Sequence, residues 1–181
     1  PLHQSSYYSA ETTFMWFDEW VSDMYDFVWF IEYDVRCPSN WNDTLKSAVS
    51  ANPLADFSAR TTSDETVYAD EQYIKPLKEY GFQKIYSSLF ATTRFSRTFL
   101  QFFRDKYFGR VGGYCEALLP TIINYHRPTF TVTDFRPWIT ETHFLYRPQW
   151  TTTEYEMWHP RLPPALRCQL IHPVVFTPDP N

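Results

Sequence analysis

Cysteine is scarce in this chain of 181 residues, and its three copies, Cys37, Cys115 and Cys168, lie far apart with no CxxC or Cys/His spacing. That argues against a structural zinc site and leaves room for one disulfide at most. Basic residues are outnumbered, 16 Lys and Arg against 21 Asp and Glu, for a net charge of -5. Electrostatic binding to nucleic acid or to an anionic membrane surface is therefore not expected, and small or neutral polar partners fit better. No apolar run approaches the roughly 18 residues needed to cross a bilayer. Secretory signals are absent too, but the chain opens on Pro1 and is expected to be processed, trimmed or a fragment, so an upstream signal would have gone with the true start. Phosphate loops of the GxxxxGK and GxGxxG kinds, the HExxH zinc helix and the GxSxG serine elbow are all missing.

Aromatic residues, by contrast, make up 20% of the chain, with 7 Trp, 13 Tyr and 16 Phe. Most are expected in the core; Trp138, Trp150 and Trp158, in loop-like sequence rich in proline, are the candidates for an exposed sugar-stacking platform. Asn42, Asp43 and Thr44 form an N-glycosylation sequon, which agrees with a secretory lumen.

The pattern along the chain reads as α/β. Ser9 is placed to cap a helix carrying Phe14, Phe17, Val21 and Met24 on one face. The unbroken apolar run Phe27 to Tyr33 reads as a strand buried on both faces. Ser39 or Asn40 caps a helix whose stripe is Trp41, Leu45, Ala48 and Val49. Leu54 to Ala59 is expected as a short strand, and Thr61 to Asp70 as a polar, acidic loop. A helix around Tyr73 to Tyr80 stops at Gly81, Phe82 to Thr92 alternates as a strand, and Ser96 caps the following helix. Phe95 and Leu100 are placed as a hydrophobic staple across the first turn of that helix. Three of the four glycines, Gly109, Gly112 and Gly113, crowd before a helix starting near Tyr114, either to bring a ligand near the helix start or to join two helices tightly. Thr129 to Thr133 reads as a strand, followed from about 134 by a segment rich in Pro and Trp. The whole is expected as one domain over 1–181.

Glu32 and Asp34 carry the most chemical information. In a regular strand residues two apart point to one face, so both carboxylates can converge on a hard divalent cation, Mn²⁺ or Mg²⁺, that also accepts diphosphate oxygens. The alternative is a salt bridge to Arg36 or a role at the next helix start. Glu116 opens a helix, where the helix dipole favours a carboxylate whether or not it is a catalytic base. His172 stands in apolar sequence, where a histidine is commonly a hydrogen-bonded core residue; its importance rises if the fold brings it to Asp34.

The run Tyr25-Asp-Phe-Val-Trp-Phe-Ile-Glu-Tyr-Asp-Val-Arg36, followed by Ser39-Asn-Trp41, resembles the YDYxWFIExDVRxxGxW segment of mainly eukaryotic proteins related to GT-A glycosyltransferases. Arg94-Phe-Ser96, Gly113-Tyr-Cys-Glu116 with Leu119-Pro-Thr121, and Ile171-His-Pro-Val174 follow in the same order. In this chain Asn40 stands where that segment has glycine. The resemblance implies a GT-A-like α/β fold with a mixed, mostly parallel sheet flanked by helices. The strands that open such folds and hold the nucleotide base are either upstream of this sequence or lost. It also implies a metal-dependent glycosyltransferase of the Golgi and secretory pathway lumen, acting on a nucleotide-sugar donor and a glycan or glycoconjugate acceptor. Asp34 and His172 would hold the metal, Glu32, Asp34 and Arg36 the donor, and Glu116 would serve as the catalytic base. A non-catalytic carbohydrate-binding or scaffold protein that keeps the fold is the competing expectation.

Overall fold

The computed structural model describes residues 22–37, 39–62, 71–144, 150–161, 163 and 169–175. The helix expected after Ser9 lies outside the described residues as far as Val21, and Met24, expected on the same face as Phe14 and Phe17, is 69% exposed in a 3-10 turn at Ser22–Met24; most of the Thr61 to Asp70 loop and Cys168 also lie outside. The elements are β1 (Phe27–Ile31), α1 (Trp41–Ala51), β2 (Phe57–Thr62), α2 (Glu71–Tyr80), β3 (Ser87–Ser96), α3 (Arg97–Lys106), α4 (Cys115–Tyr125) and β4 (Val132–Asp134). They are followed by β5 (Ile139–Phe144), β6 (Trp150–Thr151), α5 (Thr152–Trp158), β7 (Leu170–His172) and β8 (Val174–Val175).

The fold is mixed α/β. Its main sheet has four strands in the order β1-β3-β2-β4, and β5-β7 and β6-β8 form two small parallel pairs. The expectation of a mostly parallel main sheet is corrected here: β3 runs antiparallel to both β1 and β2, and only β4 joins in parallel. No helix among the described residues is long and apolar enough to cross a membrane.

β3 lies in the interior of the sheet, between β1 and β2. All ten of its residues are buried although six are polar. Arg94 is the extreme case: its guanidinium donates to the carbonyls of Asn52 (3.4 Å) and Pro53 (2.7 Å) and lies 3.7 Å over the Phe27 ring. Burial lowers its pKa, with Asp56 opposing that shift. Ser88 and Ser96 also find partners, donating to the Arg60 carbonyl and to Asp56 Oδ1, whereas the Thr92 and Thr93 hydroxyls are buried with no hydrogen-bond partner among the described residues. The strand runs from Ser87 to Ser96, offset from the expected Phe82 to Thr92.

The apolar run at β1 behaves differently from expectation. Its side chains alternate, Val28 and Phe30 packing with the cluster of α2, α3 and α4 and Trp29 with that of α1 and the C-terminal segment. Both faces are thus covered. The strand is nevertheless only half-buried, because it is the terminal strand of the sheet.

Local signals place several helices. Asn40 caps α1 by accepting from the Asn42 amide, and Ser96 caps α3 by accepting from the Phe99 amide. Gly81 ends α2 with φ +112. Gly109 and Gly113 adopt positive φ in the turn between α3 and α4, while Gly112 rests on Pro76 of α2. A side chain at Gly112 would meet Pro76 at ordinary contact distance, so the turn faces α2. Trp138, Trp150 and Trp158 do not form an exposed platform. Trp138 packs on Phe135 and donates to Ser47, and Trp150 stacks on Trp158 (5.1 Å) against Ile171 and Val174.

Candidate metal centre

The two acids converge through a turn rather than along a strand. β1 ends at Ile31, and the Val35 amide donates back to the Glu32 carbonyl (3.2 Å). This turn is held from two sides. The Glu32 amide donates to the Ala91 carbonyl of β3 (2.9 Å); on the other side Arg36 and Ile171 exchange both backbone bonds, and the Val174 amide donates to the Asp34 carbonyl (2.8 Å). Backbone pairing on either side of His172 carries its ring to the acids.

The result is a compact set. One ligand atom from each of Glu32, Asp34 and His172 lies within 4.8 Å of the other two. His172 Nε2 is 3.1 Å from Glu32 Oε2 and 3.5 Å from Asp34 Oδ1. The site is closed at one end and open at the other: the His172 and Asp34 side chains are 6% and 11% exposed, that of Glu32 37%.

Asp34 Oδ1 is buried and accepts no hydrogen bond. A desolvated carboxylate oxygen without a donor is costly, and a cation shared with His172 would satisfy it. Two carboxylates and one imidazole suit a divalent ion and leave coordination positions for ligand oxygens or water. Of the two hard cations expected, Mn²⁺ accepts an imidazole more readily than Mg²⁺ does.

Arg36 does not neutralise the acids. Its Nη1 donates to the carbonyls of Tyr33 (2.9 Å) and Val35 (3.2 Å), which curls the guanidinium over the same turn, and among the described residues no carboxylate is within ion-pair distance of it. Tyr155 of α5 lies close enough to feel this charge: burial raises its pKa first, Cys37 adds to the rise, and Arg36 opposes it.

Glu116 does not join the cluster. It is 3% exposed on α4, and its Oε1 accepts from the Phe90 amide of β3 (2.8 Å). A residue overlooked in the sequence is Tyr33, 85% exposed between the two acids. Within an apolar run it reads as strand core; only the turn turns it outward.

No protein-family model, no curated protein and no solved structure matches this chain.

Proposed function

We propose that this protein is a metal-dependent glycosyltransferase that moves a sugar from a nucleotide-sugar donor to a hydroxyl of a glycan or glycoconjugate, in the lumen of the secretory pathway. The observation that carries the reading is the Glu32, Asp34 and His172 cluster, with ligand atoms within 4.8 Å and a buried Asp34 oxygen that lacks a hydrogen-bond donor. In this reading the mixed sheet is the metal-binding part of a GT-A-like fold.

Glu32, Asp34 and His172 would hold Mn²⁺ or Mg²⁺. When bound, the ion supplies positive charge to the diphosphate that leaves as the sugar is transferred. Arg36, held over the turn and unpaired with any described carboxylate, adds a second positive charge beside that leaving group. Tyr33, exposed between two ligands, offers a ring face to the donor or to a sugar. Glu116 is left out of this chemistry, because its Oε1 is committed to a backbone amide and the residue is buried. A base for the acceptor hydroxyl is therefore not assigned. The buried Glu116 favours the second reading, a non-catalytic carbohydrate-binding or scaffold protein on the same fold.

Calorimetry with UDP and GDP, with and without Mn²⁺, tests the proposal on the wild type and on Asp34→Ala. Metal-dependent binding that the variant loses is the expected result. Absence of nucleotide binding in both overturns the donor site. Mn²⁺-dependent nucleotide binding without donor hydrolysis or transfer would favour the non-catalytic reading.

A further inference from the structure

A carboxylate buried in the most apolar helix among the described residues needs a reason. Every residue of α4 from Cys115 to Ile123 is buried, and Glu116 is among them. Desolvation makes such a side chain costly unless it takes hydrogen bonds. Its hydrogen bond from the Phe90 amide is informative because of where that amide lies. Opposite β2, the register of β3 shifts: Arg60 faces Leu89 and Ser58 faces Arg94, so Ala59 alone stands against the stretch Phe90 to Thr93. On the other edge the β1 ladder ends at the pair Ile31 and Thr92. The Phe90 amide therefore lies in an interruption between two ladders, and the Glu116 carboxylate takes its hydrogen bond at 2.8 Å.

Ala91, the next residue, accepts the hydrogen bond from the Glu32 amide at 2.9 Å. Successive residues of a strand direct their backbone groups to opposite edges, so one short stretch of β3 is held by Glu116 on one edge and holds Glu32 on the other.

We propose that Glu116 is a positioning residue: it fixes the irregular Phe90 and Ala91 stretch of β3 and, through the Ala91 carbonyl, keeps the Glu32 carboxylate in register with Asp34 and His172. What matters in this role is an acceptor oxygen at the right reach, not the negative charge. Glu116→Gln keeps that oxygen and discards the charge; Glu116→Asp keeps the charge and withdraws it by one methylene.

The test is amide hydrogen exchange without added metal, joined to Mn²⁺ affinity measured by electron paramagnetic resonance. In Glu116→Asp the Phe90 and Glu32 amides are expected to exchange about tenfold faster or more, as for a lost buried hydrogen bond, while α3 amides such as Leu100 and Phe103 stay protected. Mn²⁺ affinity should fall in step. In Glu116→Gln both exchange and affinity should stay within about threefold of wild type. Unchanged protection of Glu32 in Glu116→Asp overturns the inference. So does loss of protection in Glu116→Gln, by local opening or by unfolding. Global unfolding of Glu116→Asp overturns it as well, because Glu116 would then hold the core as a whole. The metal readout rests on the function proposed above, the exchange readout does not: a wild type that binds no Mn²⁺ would sink that function, and exchange would still decide the role of Glu116.

Discussion

Asp34→Asn should move the protein in opposite directions with and without metal. Oxygens of Glu32 and Asp34 lie no more than 4.8 Å apart. Two unit negative charges at that separation repel by roughly 3 kcal/mol at an effective dielectric near 20. Glu32 is 37% exposed, and solvent screening brings the repulsion to about 1 kcal/mol. Asparagine removes one charge at nearly constant volume and leaves His172 beside Glu32. The metal-free variant is therefore expected to melt about 2–4 °C above wild type. With Mn²⁺ at a hundredfold excess over its dissociation constant, the wild type should gain about 2.7 kcal/mol. For a chain of this size that is a rise of roughly 5–11 °C. The variant should gain little, and EDTA should return the wild type to its metal-free value. Differential scanning fluorimetry across a Mn²⁺ titration, with Mg²⁺ and Zn²⁺ in parallel, reads all of these. An equal Mn²⁺ shift in both proteins, or a metal-free variant several degrees less stable than wild type, would refute the reasoning.

Other perturbations probe the scaffold. Ser96 both accepts from the Phe99 amide and donates to Asp56 Oδ1 (2.7 Å), so Ser96→Ala should cost about 2 kcal/mol, and a melting-temperature drop of less than about 1 °C would contradict that account. Burial first and Lys106 second hold the His126 imidazole below its ordinary value of 6.5. The unfolded chain then takes up the proton more readily, so stability from this group is complete above 6.5 and declines as pH falls below it, which chemical denaturation at stepped pH would reveal. On α5, hydrogen bonds from the Thr151 amide, then from its hydroxyl, hold Glu154 below its ordinary value of 4.5 against a small opposing effect of burial. Its stabilising contribution is present above 4.5 and lost as pH falls through the lower folded-state value. Because the amide bond is the larger cause, Thr151→Ala should move the Glu154 titration only part of the way back, as followed by carboxyl NMR.

Much of the local structure was legible in the residue order, for a physical reason: caps and stops act within one turn. Asn40 and Ser96 mark helix starts, Gly81 marks a helix end, and both acids sit at the end of an apolar run, as read from the sequence. Nothing local, however, distinguishes a half-buried edge strand from a fully buried central one. The apolar run became the edge β1, while the more polar β3 took the interior, where Arg94, Ser88 and Ser96 find partners in other segments and the Thr92 and Thr93 hydroxyls find none among the described residues. The same holds at the candidate site. Sequence determined that Glu32 and Asp34 stand together; tertiary structure decided that a turn aims them, that Tyr33 faces outward, that Glu116 is spent on a backbone amide, and that backbone pairing between Arg36 and Ile171 carries His172 to their side. Those outcomes depend on hydrogen bonds between segments distant in sequence, where side-chain pattern carries no information about register.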